Sequence, residues 1–174
     1  MEIWDIYDEN RKLTGRKHVR GEAMQSGDYH LVVEAWIVDS TCKFLIPKRA
    51  SSKEAFPNLW EPSGGSAIAS EDSLTAIMRE IKEETGIDIV PENGKLLTTI
   101  KREREIINDF KDVWLFCCEF NLEDVVLRRG ETVEARKVTW SEINEMMKYG
   151  RFMPKHVFPY FDLLETMPKN FDSN

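Results

Sequence analysis

The sequence predicts an α+β or α/β sandwich, with helices packed on a mixed sheet. Three observations lead there. Residues 30–39 (HLVVEAWIVD) and 43–49 (KFLIPKR) are apolar runs around a polar turn at Ser40-Thr41, which reads as a hairpin. Leu74, Ile77, Met78 and Ile81 recur at i, i+3, i+4 and i+7, the stripe of a half-buried helix. Further strand-like runs and a helical C-terminal region follow, with no internal repeat.

Taken in order, residues 2–7 (EIWDIY) read as a short strand that turns around Asp8-Glu9-Asn10. After the hairpin, 51–62 reads as loop, because Pro57 and Pro62 break regularity ahead of Gly64-Gly65. The helix starts after Ser70 as N-cap, with Glu71 and Asp72 in its first turn and Gly86 just past its end. Strands are expected over 96–103 and 112–120, joined by a polar turn near Asn108-Asp109, and a last one over 134–140. Ser141 is expected to cap a helix that ends at Gly150. A second helix is expected over 156–167, broken or started at Pro159.

The first helix carries an electrostatic oddity. Glu80, Glu83 and Glu84 stand three and four apart on a face roughly 120° from the apolar stripe, at about 100° per residue. Like charges at that spacing repel. They also crowd the C-terminal end, where the helix dipole disfavours anions. Two penalties in one place call for a cation, and a hard divalent metal with oxygen ligands is the natural one.

The spacing is specific as well. Gly65, Glu71, Arg79, Glu80, Ile81, Glu83, Glu84, Gly86 and Ile87 fill every fixed position of G-x5-E-x7-R-E-U-x-E-E-x-G-U, where U is a bulky aliphatic residue. That pattern resembles the Nudix box. A solvated, Glu-rich amphipathic helix would account for the charge but not for the glycines and the arginine in register. The resemblance implies a mixed sheet between helices, an α/β/α sandwich, with the box as a loop–helix–loop; length and composition fit a single domain over residues 1–174. The resemblance extends beyond the box. KFLIPKRASSKEAFPNLWEPSGGSA, WDIYDENRKLTG, DVWLFCCEF and GETVEARKVTW look like the branch closest to isopentenyl diphosphate isomerase. Two departures separate this chain from the isomerase. That enzyme has a catalytic cysteine soon after the tryptophan, where Trp60 is here followed by Glu-Pro-Ser-Gly-Gly. It has a histidine close behind, where this chain has Gly65-Ser66. Cys42 lies upstream in a turn and is no substitute.

Composition narrows the classes. A chain of 174 residues with 41% hydrophobic content can bury one ordinary core. A net charge of −7 argues against nucleic acid as partner. An anionic small substrate is still open to it, because a bound cation reverses the local sign. No apolar run reaches about 18 residues, so no membrane span is expected. Residues 1–12 (MEIWDIYDENRK) show no secretory signal. Cys42, Cys117 and Cys118 fit reduced thiols of a cytoplasmic protein. An exposed apolar surface on the N-terminal strand or C-terminal helices could support a homodimer.

A diphosphate bond repels an attacking nucleophile, and Mg²⁺ (or Mn²⁺ in its place) on the phosphate oxygens relieves that repulsion and eases deprotonation of water. Glu80, Glu83 and Glu84 supply hard oxygens. By resemblance the carbonyl of Gly64 adds one more, and Arg79 fixes the glutamates and the loop. Glu71 is either the family's loop-securing glutamate or a dipole-favoured first-turn acid. The resemblance implies a general base that is either a box glutamate, Glu84, or a distant loop acid, Glu131 or Glu134. Lys48 and Arg49 either meet a phosphate or simply end a charged strand. Trp60 either stacks on a base or anchors its loop in the core. His30 reads as a structural histidine. The expected activity is Mg²⁺-dependent hydrolysis of a nucleoside diphosphate linked to another moiety. The alternatives are isoprenoid diphosphate isomerisation and a non-catalytic nucleotide-binding module.

Overall fold

The computed structural model describes residues 2–165. Its strands are β1 (Ile3–Tyr7), β2 (Leu13–Val19), β3 (Tyr29–Val38), β4 (Lys43–Arg49), β5 (Ser63–Ser66), β6 (Gly94–Arg102), β7 (Asn108–Cys117) and β8 (Thr132–Thr139). Its helices are α1 (Ser73–Thr85), α2 (Trp140–Lys148) and α3 (Phe161–Glu165).

All eight strands join one mixed sheet organised on β3. One edge of β3 pairs in parallel with β7 along its whole length, Tyr29↔Asn108 to Val38↔Cys117. The other edge is shared in succession by β1 at Tyr29, β5 at Val32–Ala35 and β4 at Ile37–Val38, all antiparallel. Side chains alternate across the sheet. Leu31, Val33, Ala35 and Ile37 pack under α1 with Ala76, Ile77 and Ile81. Trp36 and Val38 face the opposite way and pack with Val113 and Leu115 of β7, Ile143 and Met146 of α2, and Phe161 and Leu164 of α3. The sandwich with helices on both faces is the fold the sequence predicts.

The differences have local causes. Thr139 rather than Ser141 caps α2, because its hydroxyl accepts from Glu142 N while the Glu142 carboxylate accepts from Thr139 N. Asp72 rather than Ser70 caps α1, its carboxylate accepting from Thr75 N; Ser70 turns the chain at φ 75°. Glu71 and Asp72 therefore precede the helix. Gly86 ends it with a left-handed φ of 74°, as expected. Asn108 and Asp109 are not a turn but the start of β7, since they pair with Tyr29 and His30 and Arg102 holds the Asp109 carboxylate at 2.5 Å. β6 and β8 each begin two residues earlier than expected. Of the helix expected over 156–167, the structure has a 3₁₀ turn at Lys155–Val157 and α3 from Phe161; residues 166 and 167 lie outside those described.

β5 packs closely against both β3 and α1. A Cβ on Gly64 would fall inside the van der Waals radius of the Val33 carbonyl oxygen, and one on Gly65 inside that of the Glu80 carboxylate. The two glycines should therefore respond differently to alanine. Gly64→Ala meets main chain that cannot yield, and a loss of about 2–3 kcal/mol is expected in a denaturant titration. Gly65→Ala meets the end of a flexible side chain, so the stability loss is smaller and the displacement of Glu80 appears in activity. Equal stability losses would refute this distinction.

Candidate active site

α1 and β5 build the site between them. Burying Ile77 and Ile81 under the helix turns Glu80 and Glu84 toward β5, and both are buried. Glu80 lies against Gly65, and Glu84 Oε2 accepts from Gly64 N at 3.3 Å. The glycines leave room for the carboxylates. Burial pushes both carboxyls above the ordinary glutamate value, Glu84 well above it, since Glu61 and Glu80 stand nearby. Arg79 opposes this shift at Glu80.

Arg79 ties the box together. Its Nε and Nη2 donate to the two oxygens of Glu71 at 2.7 and 3.0 Å, its Nη1 to Glu80 at 2.9 Å, and its Nη2 also to the Ser66 carbonyl at 3.0 Å. The planar fork suits this bidentate contact. Glu71 in turn accepts from Ile68 N at 3.0 Å, so it holds the loop as its resemblance implies. Glu83 is less buried, pairs with Arg128, and stands 3.6 Å from Arg79.

These groups line a cavity of about 700 Å³ together with Arg49, Lys53, Arg128, Glu131, and Glu2 and Arg20 at its N-terminal side. Glu131 is therefore on the wall, 3.8 Å from both Lys53 and Arg128. The other distant acid, Glu134, is not; it pairs with Arg136 at 2.9 Å and Lys48 at 4.0 Å. Arg49 lines the cavity and donates to Glu61 at 2.6 Å. Lys48, next to it on β4, does not line the cavity: its ammonium lies over the Trp60 ring, 5.7 Å from the centroid. Trp60 is not on the wall either. It is 4% exposed in the core beneath α2 and α3, bridged to Lys48 and Phe152, so the substrate-binding expectation for Lys48 and Trp60 is corrected. Its bulk is used for packing. His30 stacks on Trp4 at 4.1 Å, and burial pushes its pKa down to about 3, so it is neutral and structural.

The oxygens of Glu80, Glu83 and Glu84 are the hard donors that a divalent cation prefers, and the repulsion among buried Glu80 and Glu84 and half-buried Glu61 is what such an ion would relieve. Among the described residues no three carboxylate, imidazole or thiol groups converge tightly enough to cage an ion. Arg79 and Arg128 hold Glu80 and Glu83 instead. The chemistry of the donor set fits a hard divalent ion.

Lys53, Arg128 and Arg20 were not legible in the sequence. They come from three separate loops, and no spacing connects them.

A family model described as NUDIX domain matches residues 28–161. An uncharacterised Nudix hydrolase of Listeria monocytogenes is 38% identical over 155 residues, covering 88% of this chain and 89% of that protein. An isopentenyl-diphosphate Delta-isomerase of Shigella flexneri is 33% identical over 63 residues, 36% of this chain and 35% of that protein. Among solved structures, a Deinococcus radiodurans protein superposes with a TM-score of 0.73 at 19% identity, covering 94% of this chain and 98% of that one.

Proposed function

Because this chain belongs to the Nudix family, we propose that it is a pyrophosphohydrolase acting on a nucleoside diphosphate linked to another moiety, with Mg²⁺ as its working ion and Mn²⁺ as a substitute. The supporting observation is the meeting of Glu80, Glu83, Glu84, Arg79 and Glu131 on one cavity beside Gly64 and Gly65. Glu80, Glu83 and Glu84, with the Gly64 carbonyl, would hold the ion, which supplies charge neutralisation at the phosphate oxygens. Arg79 keeps Glu80 and the Ser66 loop in place for that purpose. Glu84, buried among two other carboxylates, is assigned to the ion. Glu131, partly exposed and held at 3.8 Å by two cations, is then assigned to take the proton of the attacking water. Arg49 contacts the substrate's phosphates from the end of β4. The cavity wall carries no cysteine or histidine among the described residues, which favours hydrolysis over isomerisation. The reading takes all 174 residues as one domain acting in the cytoplasm on a small molecule. No helix among the described residues is long and apolar enough to cross a membrane.

Turnover of a diphosphate panel with and without Mg²⁺ tests the reading. The panel includes nucleoside triphosphates, ADP-ribose, nucleotide sugars, dinucleoside polyphosphates and isopentenyl diphosphate. Cleavage of one class only when Mg²⁺ is present is expected. Isomerisation of isopentenyl diphosphate, or no reaction with either ion, would overturn it.

Metal binding should also appear in stability. Glu80 and Glu84 have folded pKa values raised above the ordinary 4.5. Their contribution is fully present below the unfolded value and is lost as pH rises through the folded values. Added Mg²⁺ should offset that loss, so its increment in thermal midpoint should grow as pH rises above the ordinary glutamate range. An increment independent of pH would place the ion elsewhere.

A further inference from the structure

Three cations on the cavity wall have been given no contact with the substrate so far: Arg20 between β2 and β3, Lys53 between β4 and β5, and Arg128 between β7 and β8. Each now faces a carboxylate. Lys53 and Arg128 both approach Glu131 at 3.8 Å, and Arg128 also pairs with Glu83. Arg20 pairs with Glu2 at 2.5 Å and lies within electrostatic reach of Glu131 and Glu80. Glu83 and Glu131 are the carboxylates that the proposed reaction uses. In those roles each carboxylate shares its charge with the ion or the attacking water, so Lys53 and Arg128, still on the cavity wall, can pair with a further anion.

The rest of the wall offers little to a nucleobase. Its aliphatic part is Ile3, Ile68 and Ala69, and no aromatic ring lines it among the described residues. Trp60 and Phe152 are buried in the core. Bases are held chiefly by stacking and apolar contact, which this surface does not provide.

We propose that Lys53, Arg128 and Arg20 form an anion-reading wall that selects diphosphates carrying at least one further phosphate, and that the base of a nucleotide substrate is left unread. This rests on the reading of the cavity as a diphosphate hydrolase site. It makes these three side chains the specificity determinants, ahead of any contact to the nucleoside.

Calorimetric titration of the full chain in Mg²⁺ tests it with analogues of ADP, ATP and GTP whose phosphate bridges are all methylene. These report affinity without turnover. The third phosphate should tighten binding by about tenfold or more, and the ATP and GTP analogues should agree within about threefold. Lys53→Met and Arg128→Met should each shrink the ratio between the affinities of the ATP and ADP analogues, whatever either does to the ADP analogue alone. Arg128→Lys should restore part of that ratio. Lys53 is half-buried and Arg128 is exposed, and a thermal melt of each variant confirms that it is folded. A base preference above about tenfold, a third-phosphate advantage that survives both substitutions, or binding of none of the analogues would overturn the proposal. Cleavage assays on the natural nucleotides separate the two levels. Cleavage alongside any of those results removes the wall alone, whereas no cleavage of any diphosphate with Mg²⁺ or Mn²⁺ also removes the hydrolase reading.

Discussion

Glu83→Gln is expected to lower kcat by on the order of 10²–10⁴-fold while leaving the fold intact. The substitution keeps the size of the side chain and removes one negative charge. Glu83 is 36% exposed and its partner Arg128 is 46% exposed. Loss of that ion pair should therefore move stability by no more than about 0.5 kcal/mol. The large effect comes from the missing hard ligand, so affinity for Mg²⁺ should fall together with kcat. Steady-state kinetics and a metal titration on the same variant test both. An unchanged rate would remove the metal from this face of α1.

The largest stability loss is expected at the opposite face of the sheet. Glu34 on β3 and Lys111 on β7 form a buried ion pair, the residues being 8% and 3% exposed. Burial raises the Glu34 carboxyl and lowers the Lys111 ammonium, and the attraction between them opposes both shifts. The ammonium also lies 5.3 Å from the centre of the Phe158 ring and 5.6 Å from that of Tyr160. Lys111→Met strands the carboxylate and should cost about 3–5 kcal/mol at neutral pH. Adding Glu34→Gln should recover most of it. The sign of the pH dependence follows from the raised Glu34 pKa, which rises further without its lysine. The variant should approach wild type as pH falls and Glu34 takes up a proton, and should lose ground as pH rises. Denaturant midpoints at two pH values test this. A loss that does not change with pH would mean that the side chain, not its charge, carries the effect.

What the sequence conveyed depended on how local each signal is. The α1 stripe, the glutamates on its second face and Gly86 lie within one helix, so spacing alone placed them. The β3–β4 hairpin was legible because both strands are largely buried apolar runs and β3 is rich in β-branched residues. β5 was not: Ser63–Ser66 has no strand propensity and is extended only because β3 pairs with it. β2 was missed because most of its side chains are exposed and nothing alternates. The cap of α1 was misplaced by two residues because Ser70, Glu71 and Asp72 all suit such a position, and only the left-handed turn at Ser70 decides among them. Glu131 could be named from the sequence, but its neighbours Lys53 and Arg128 could not, since tertiary structure alone brings their loops together.

The parallel pairing of β3 with β7 also sets an order of events during synthesis. The partners are about 80 residues apart in the chain. β3 leaves the ribosome well before β7 exists, with one edge of the most buried strand still unpaired. β1, β5 and β4 can occupy its other edge early, and α1 can cover one face. The open edge must wait until Cys117 has emerged, and α2 and α3 reach the second face later still. Until then the nascent chain presents a long apolar strand with unpaired amides, the surface on which one copy can adhere to another. Slower translation between α1 and β7 should therefore lower the soluble yield more than the same delay placed after β8.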